Sequence, residues 1–95
     1  AAKVLGVAVR DLFELREFRE AAALGRRLTA SYPTAEVEIR RSAWLVVAHA
    51  SFELGEYAPA EEAYGEVLAL TSESDSTRGE VVDNLAASIY KQAEQ

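Results

Sequence analysis

Apolar residues recur along this chain at intervals of three and four, which is the spacing of one helical face. Phe18, Ala21, Ala22, Gly25 and Leu28 form one such stripe, and Trp44, Val47, Ala48, Ser51 and Leu54 form a second. Tyr57, Ala60, Ala63, Tyr64, Val67 and Leu68 form a third, and Val82, Leu85, Ala86, Ile89 and Ala93 a fourth. No segment alternates with a period of two between turns, so no strand is expected. The pattern predicts five helices, roughly over 2–15, 17–31, 35–54, 58–70 and 77–94.

The breaks have chemical causes. Tyr32-Pro33 stops the second helix, because proline has no amide to donate and clashes with the preceding turn. Thr34 is then expected to cap the third helix. Gly55 can adopt the left-handed conformation that ends a helix. Pro59 falls in the first turn of the fourth helix, where a missing donor matters little. Thr71-Ser72-Glu73-Ser74-Asp75-Ser76 is polar and turn-rich, and predicts the longest loop. Thr77 with Glu80 has capping-box spacing and is expected to start the last helix.

The chain also repeats itself. The run from Phe13 to Ala21 returns as the run from Phe52 to Ala60, with most aligned positions identical or, as in Phe18 and Tyr57, closely similar. A weaker third copy follows at Tyr90-Lys91-Gln92-Ala93-Glu94. Trp44-x2-Val47-Ala48-x2-Ser51 followed by Ala60-x3-Tyr64 resembles the tetratricopeptide signature W-x2-L-G-x2-Y…A-x3-F…P. In the earlier copy Ala21 matches the family's alanine and Pro33 its closing proline. The resemblance implies an all-α, right-handed superhelix of antiparallel hairpins. Repeat 1 would run over about 2–33, repeat 2 over about 35–71 and a partial repeat 3 over about 77–95. In that reading Ala48 and Ala60 sit where the helices of a hairpin approach, and Trp44, Tyr57 and Tyr64 fill gaps between hairpins. The chain departs from the family in its period, which is a few positions longer than the family's roughly 34 residues. It also has Val9 where a small residue is expected, Gly25 where an aromatic is expected, and Ser72 where the second proline would stand.

Length allows one domain. Of the 95 residues, 49 % are hydrophobic and 27 % charged, a globular composition. The net charge of −6 disfavours nucleic acid and anionic membranes as partners. The charge is uneven: residues 1–33 hold six cations against four acids, and residues 34–95 hold four cations against twelve acids. Solvated helix faces account for this, although complementary ends of a stack would look the same. There is no cysteine, so neither a disulfide framework nor a thiolate metal site is available. No signal peptide or membrane span is evident. The start at Ala1-Ala2-Lys3 and the stop at Gln95, before a third hairpin could close, point to a piece of a longer array.

Catalytic chemistry finds little footing. His49 is the single histidine, which rules out a two-histidine zinc motif. A triad of His49, a serine and Asp83 has no support in spacing. No phosphate-cradling glycine loop or calcium loop occurs, and no cofactor or metal is expected. The acidic pairs Glu61-Glu62 and Glu36/Glu38 fit solvated helix faces. An enzyme is therefore not expected.

The tetratricopeptide resemblance implies a groove lined by the first helix of each hairpin. Carried over residue by residue, it places there Arg10, Phe13 and Glu14 from the first helix. Ser42, Leu45, His49, Phe52 and Glu53 come from the third helix, and Asp83, Ala87, Tyr90 and Lys91 from the fifth. Phe13, Phe52 and Tyr90 would form an aromatic row, or else pack between adjacent first helices. The carboxylate clamp of chaperone-binding relatives is not expected, because Gly6, Val46 and Asp83 stand near where lysines and asparagines would be wanted. The implied role is a scaffold that binds a partner peptide or helix. The alternative is a spacer, or a fragment that self-associates through a fifth helix whose Val82, Leu85 and Ile89 lack a partner. Ala30-Ser31-Tyr32-Pro33 is similar to turns in bacterial envelope-associated repeat proteins, and a cytoplasmic location fits as well.

Overall fold

The computed structural model describes residues 1–95. It is all-α, with five helices and no strand: α1 (Ala2–Glu14), α2 (Phe18–Ser31), α3 (Val37–Glu53), α4 (Tyr57–Ala69) and α5 (Arg78–Glu94). Each helix packs on the next in sequence, and α1 also packs on α3. The short connections after α1, α2 and α3 force antiparallel neighbours, so α1 and α3 run in the same direction.

Those two connections are the same device used twice. Gly55 has φ +74° and Arg16 has φ +62°. After α3, the Gly55 N–H donates to the Phe52 carbonyl at 3.0 Å and the Glu56 N–H to the Ser51 carbonyl at 2.9 Å. After α1, the Arg16 N–H donates to the Phe13 carbonyl at 2.9 Å and the Glu17 N–H to the Leu12 carbonyl at 2.9 Å. This pairing satisfies the last carbonyls of a helix and needs a left-handed residue at its centre.

Two expected caps do not form. Thr34 lies in the turn before α3, whose boundary residue is Glu36, and no side chain caps that end. The turn closes instead through Ala35 N–H to the Tyr32 carbonyl at 3.1 Å, with Arg40 Nε donating to the Ala35 carbonyl at 2.8 Å. Thr77 starts α5 but does not cap it. Its hydroxyl donates to Asp75 Oδ1 at 2.6 Å and accepts from Arg41 at 2.8 Å, so it is committed elsewhere.

The core has two clusters, with α3 between them. Ala43, Val46 and Ala50 meet Val9, Ala21, Ala22 and Leu28 on one side. Val47 and Ala48 meet Ala60, Ala63 and Tyr64 on the other. The alanines let helix axes come close, and Gly25 extends that principle. A Cβ at Gly25 would sit 2.6 Å from Val47 Cγ2 and 3.3 Å from the Ala43 carbonyl oxygen. Gly25 and Tyr64 occupy equivalent positions in the two copies of the repeat. The first hairpin closes its gap by helix approach, and the second fills it with a ring that is 2 % exposed.

The stripe predicted for α5 is only partly used for packing. α5 rests on α4, with Val81 and Ser88 buried and half-buried Leu85 packed on the cluster that holds Ala60, Ala63 and Tyr64. Gln92 adds a 2.6 Å hydrogen bond to Glu61. Val82 and Ile89 face water, and Ala86 and Ala93 lie along the same stripe. The polar residues Ser88 and Gln92 can face the neighbouring helix because Ser88 Oγ donates to the Asn84 carbonyl at 3.0 Å and Gln92 reaches Glu61.

Candidate functional site

A groove of about 430 Å³ lies between the N-terminal halves of α1 and α3. Lys3, Gly6 and Arg10 line it from α1, while Ile39, Arg41, Ser42 and Leu45 line it from α3, with Glu36 and Glu38 at its mouth. Helical spacing explains the α1 wall, because residues 3, 6 and 10 are three and four apart and share a face. Gly6 keeps that wall low. Its lining combines half-buried Ile39 and Leu45 with the exposed cations Lys3 and Arg10 and the exposed acids Glu36 and Glu38.

Arg41 is not a free groove cation. Its side chain is only 15 % exposed. It donates through Nε to Thr71 at 2.9 Å and through one terminal nitrogen to Thr77 at 2.8 Å. The same nitrogen lies 3.8 Å from Asp75, and the other lies 3.7 Å from Glu38. Asp75 accepts from the Thr77 hydroxyl and N–H, and these bonds, with Arg41, hold its carboxyl below the usual range. Arg41 thus ties the 71–77 loop to α3. Sequence pattern assigns no role to Arg41; the signal available was a cation on α3 and a Thr- and Asp-containing loop further along the chain.

Of the expected groove residues, Arg10, Ser42 and Leu45 meet in this groove. Leu45 and His49 also line a smaller cavity of about 150 Å³ between α3 and α5, opposite Glu80, Val81 and Asn84. His49 Nδ1 lies 2.7 Å from the Tyr64 hydroxyl, and the His49 ring is 6.1 Å from that of Phe13. Burial pushes the Tyr64 hydroxyl up to about 12, with Glu53 and Glu80 adding to it. Burial pushes the His49 imidazole down, against a partial rise from Glu80 and Glu53. The two groups share one hydrogen bond, and the His49 tautomer decides which of them donates.

The aromatic row is replaced by pairs within hairpins. Phe13 packs on Phe18 at 5.4 Å and Phe52 on Tyr57 at 5.0 Å, each across its own turn. Tyr90 has no such partner and is 70 % exposed. Asp83, Ala87, Tyr90 and Lys91 share a shallow surface of α5, away from the α1–α3 groove, and Lys91 lies 3.7 Å from Glu94. Glu14 and Glu53 are exposed. Gly6, placed by the resemblance near a clamp position, does line the groove, and Lys3 and Ile39 belong to it without having been expected there. The three- and four-residue spacing of Lys3, Gly6 and Arg10 was the signal that could have found Lys3.

Trp44 is half-buried and opens on a different cleft, about 290 Å³, shared with Arg26, Pro59 and Glu62 on the α2–α4 side. No group of three or more His, Cys, Asp or Glu is gathered as a metal site. No helix is long and apolar enough to cross a membrane. No family model, curated protein or solved structure matches the chain.

Proposed function

We propose that this chain is a protein-binding module, a tetratricopeptide-like stack that holds a segment of a partner protein along the face shared by α1 and α3. The observation that carries this reading is the groove itself. It is open, and its lining joins half-buried Ile39 and Leu45 to exposed Lys3 and Arg10 from α1 and exposed Glu36 and Glu38 from the α3 side. Such a lining suits a segment that presents an acidic residue to α1, a basic residue to α3 and a small apolar side chain between them. The repeated signature around Trp44 and the matched turns at Arg16 and Gly55 support the family reading.

A binding role without chemistry is part of the proposal. The one histidine is bonded to Tyr64, a group that stays protonated, and so lacks the poised partner that acid–base catalysis requires.

The test is capture of partners by the immobilised chain, followed by titration of the captured segment. Arg10→Glu and Lys3→Glu together should weaken binding at least tenfold. Glu62→Lys, on the α2–α4 side, should leave it unchanged. Binding that survives the double reversal would show that the groove is idle.

A further inference from the structure

We infer that α5 of one molecule docks on α1 of a second copy, so that the stack extends head to tail. The pairing rests on two apolar faces that the fold leaves open, and it shares Lys3 and Arg10 with the groove. On α5 the face is the stripe Val82, Ala86, Ile89 and Ala93, with Val82 44 % and Ile89 51 % exposed. On α1 it is Val4 and Val7, at 69 % and 46 %.

The chain's own repeat shows what such faces do when they are covered. In the register of the repeat, Ala86 and Ile89 of α5 correspond to Ala48 and Ser51 of α3, and both of these are completely buried. Ala48 lies in the cluster that includes Ala60, Ala63 and Tyr64 of α4. Likewise Val4 and Val7 of α1 correspond to Ala43 and Val46, which are buried in the cluster that includes Ala21, Ala22 and Leu28 of α2. Each open face is thus a helix-packing surface elsewhere in the same molecule, and joining the two removes both from water.

Charge selects a second copy and a direction. Helical spacing puts Lys3 and Arg10 along one edge of the α1 face, and Asp83 and Tyr90 along one edge of the α5 face. The corresponding faces of α3 meet antiparallel helices, but a parallel α5–α1 pair is the one whose charges match: setting Val82 beside Val4 brings Asp83 to Lys3 and the Tyr90 ring to Arg10. The same register sets Glu94 against Glu14, a repulsion that limits the affinity. One helix pair buries less than the ~1,200 Å² of a strong interface, so the association is weak and grows with concentration. A contact between two different faces does not close on itself and adds copies indefinitely.

Sedimentation equilibrium of the chain over a wide concentration range tests this. The average mass should rise past two copies without a plateau. Val4→Asp and Ile89→Asp, both at exposed positions, should each weaken association at least tenfold while circular dichroism stays unchanged. Mixed together, those two variants retain one good face each and should form a one-to-one pair that grows no further. Glu94→Lys should strengthen association severalfold. A strict monomer at millimolar concentration would overturn the inference. So would a mixture that stays monomeric, or a mass that halts at two copies and ignores Val4→Asp, which would assign a symmetric α5–α5 contact instead.

Discussion

Arg16 and Gly55 occupy the same place in two matching turns of the internal repeat, and both are left-handed, with φ of +62° and +74°. Only one of them is glycine. A side chain in that region costs about 1–2 kcal/mol. Arg16 recovers part of this by placing its guanidinium carbon 5.0 Å from the centre of the Phe18 ring, a contact worth ~0.5–1 kcal/mol when exposed. Gly55→Ala should therefore destabilise the fold by about 1 kcal/mol. Arg16→Gly should be neutral or stabilising by up to ~1 kcal/mol, because relief of strain outweighs loss of the ring contact. Urea denaturation of both variants checks this, and a clear loss of stability in Arg16→Gly would contradict it.

Gly25 marks a close approach of α2 to α3. Gly25→Ala puts a methyl 2.6 Å from Val47 Cγ2, and overpacking of this kind typically costs ~1–3 kcal/mol. Val47→Ala in the same chain should restore part of the loss, since it removes the atom that is struck. A double-mutant cycle by thermal or chemical unfolding measures the coupling, and strict additivity would rule out the clash as the cause.

Arg41 joins α3 to the 71–77 loop. Arg41→Met leaves Thr71 and Thr77 without their guanidinium donor, and the expected loss is ~1–3 kcal/mol. Arg41→Lys should not rescue it, because one ammonium cannot span two hydroxyls in a fixed fork. Hydrogen exchange should show the loss concentrated at the start of α5. Protection there equal to that of the unaltered chain would remove Arg41 from this role.

Stability should depend on pH through His49. Its folded pKa is lowered from 6.5, mainly by burial, so between the folded value and 6.5 the unfolded chain binds more protons. Stability is then complete above the unfolded value and falls as pH drops below it. Asp75, lowered from 3.8 by its bonds to Thr77, adds a separate loss of stability in more acid solution, as pH falls through and below that value. His49→Phe should flatten the first slope and leave the second. Unfolding measured in small pH steps, with proton NMR of the His49 ring, separates the two. An unchanged slope in His49→Phe would assign the pH dependence to other groups.

Much of the fold could be read from local pattern. Helix count, the left-handed turn at Gly55, the break at Pro33 and the internal repeat all depend on close neighbours or on period, and both are written in one dimension. Legibility ended where a residue had two possible partners. Thr77 had cap spacing, but Asp75 and Arg41 are better acceptor and donor for its hydroxyl. Phe52 could enter a row or pack between first helices, and the turn instead places Tyr57 against it.

Helical periodicity marks which residues share a face and is silent on which way that face is turned. The stripe on α5 and the missing partner of Val82 and Ile89 were legible, whereas the inward turn of Leu85, expected to lack a partner too, was not. α5 is oriented by Val81, Leu85 and the Gln92–Glu61 bond, contacts that depend on how it comes to lie against the rest of the stack. The groove has the same origin. Lys3, Arg10 and Ser42 were visible as residue types, but the space between them depends on how α1 packs beside α3, which no local pattern records.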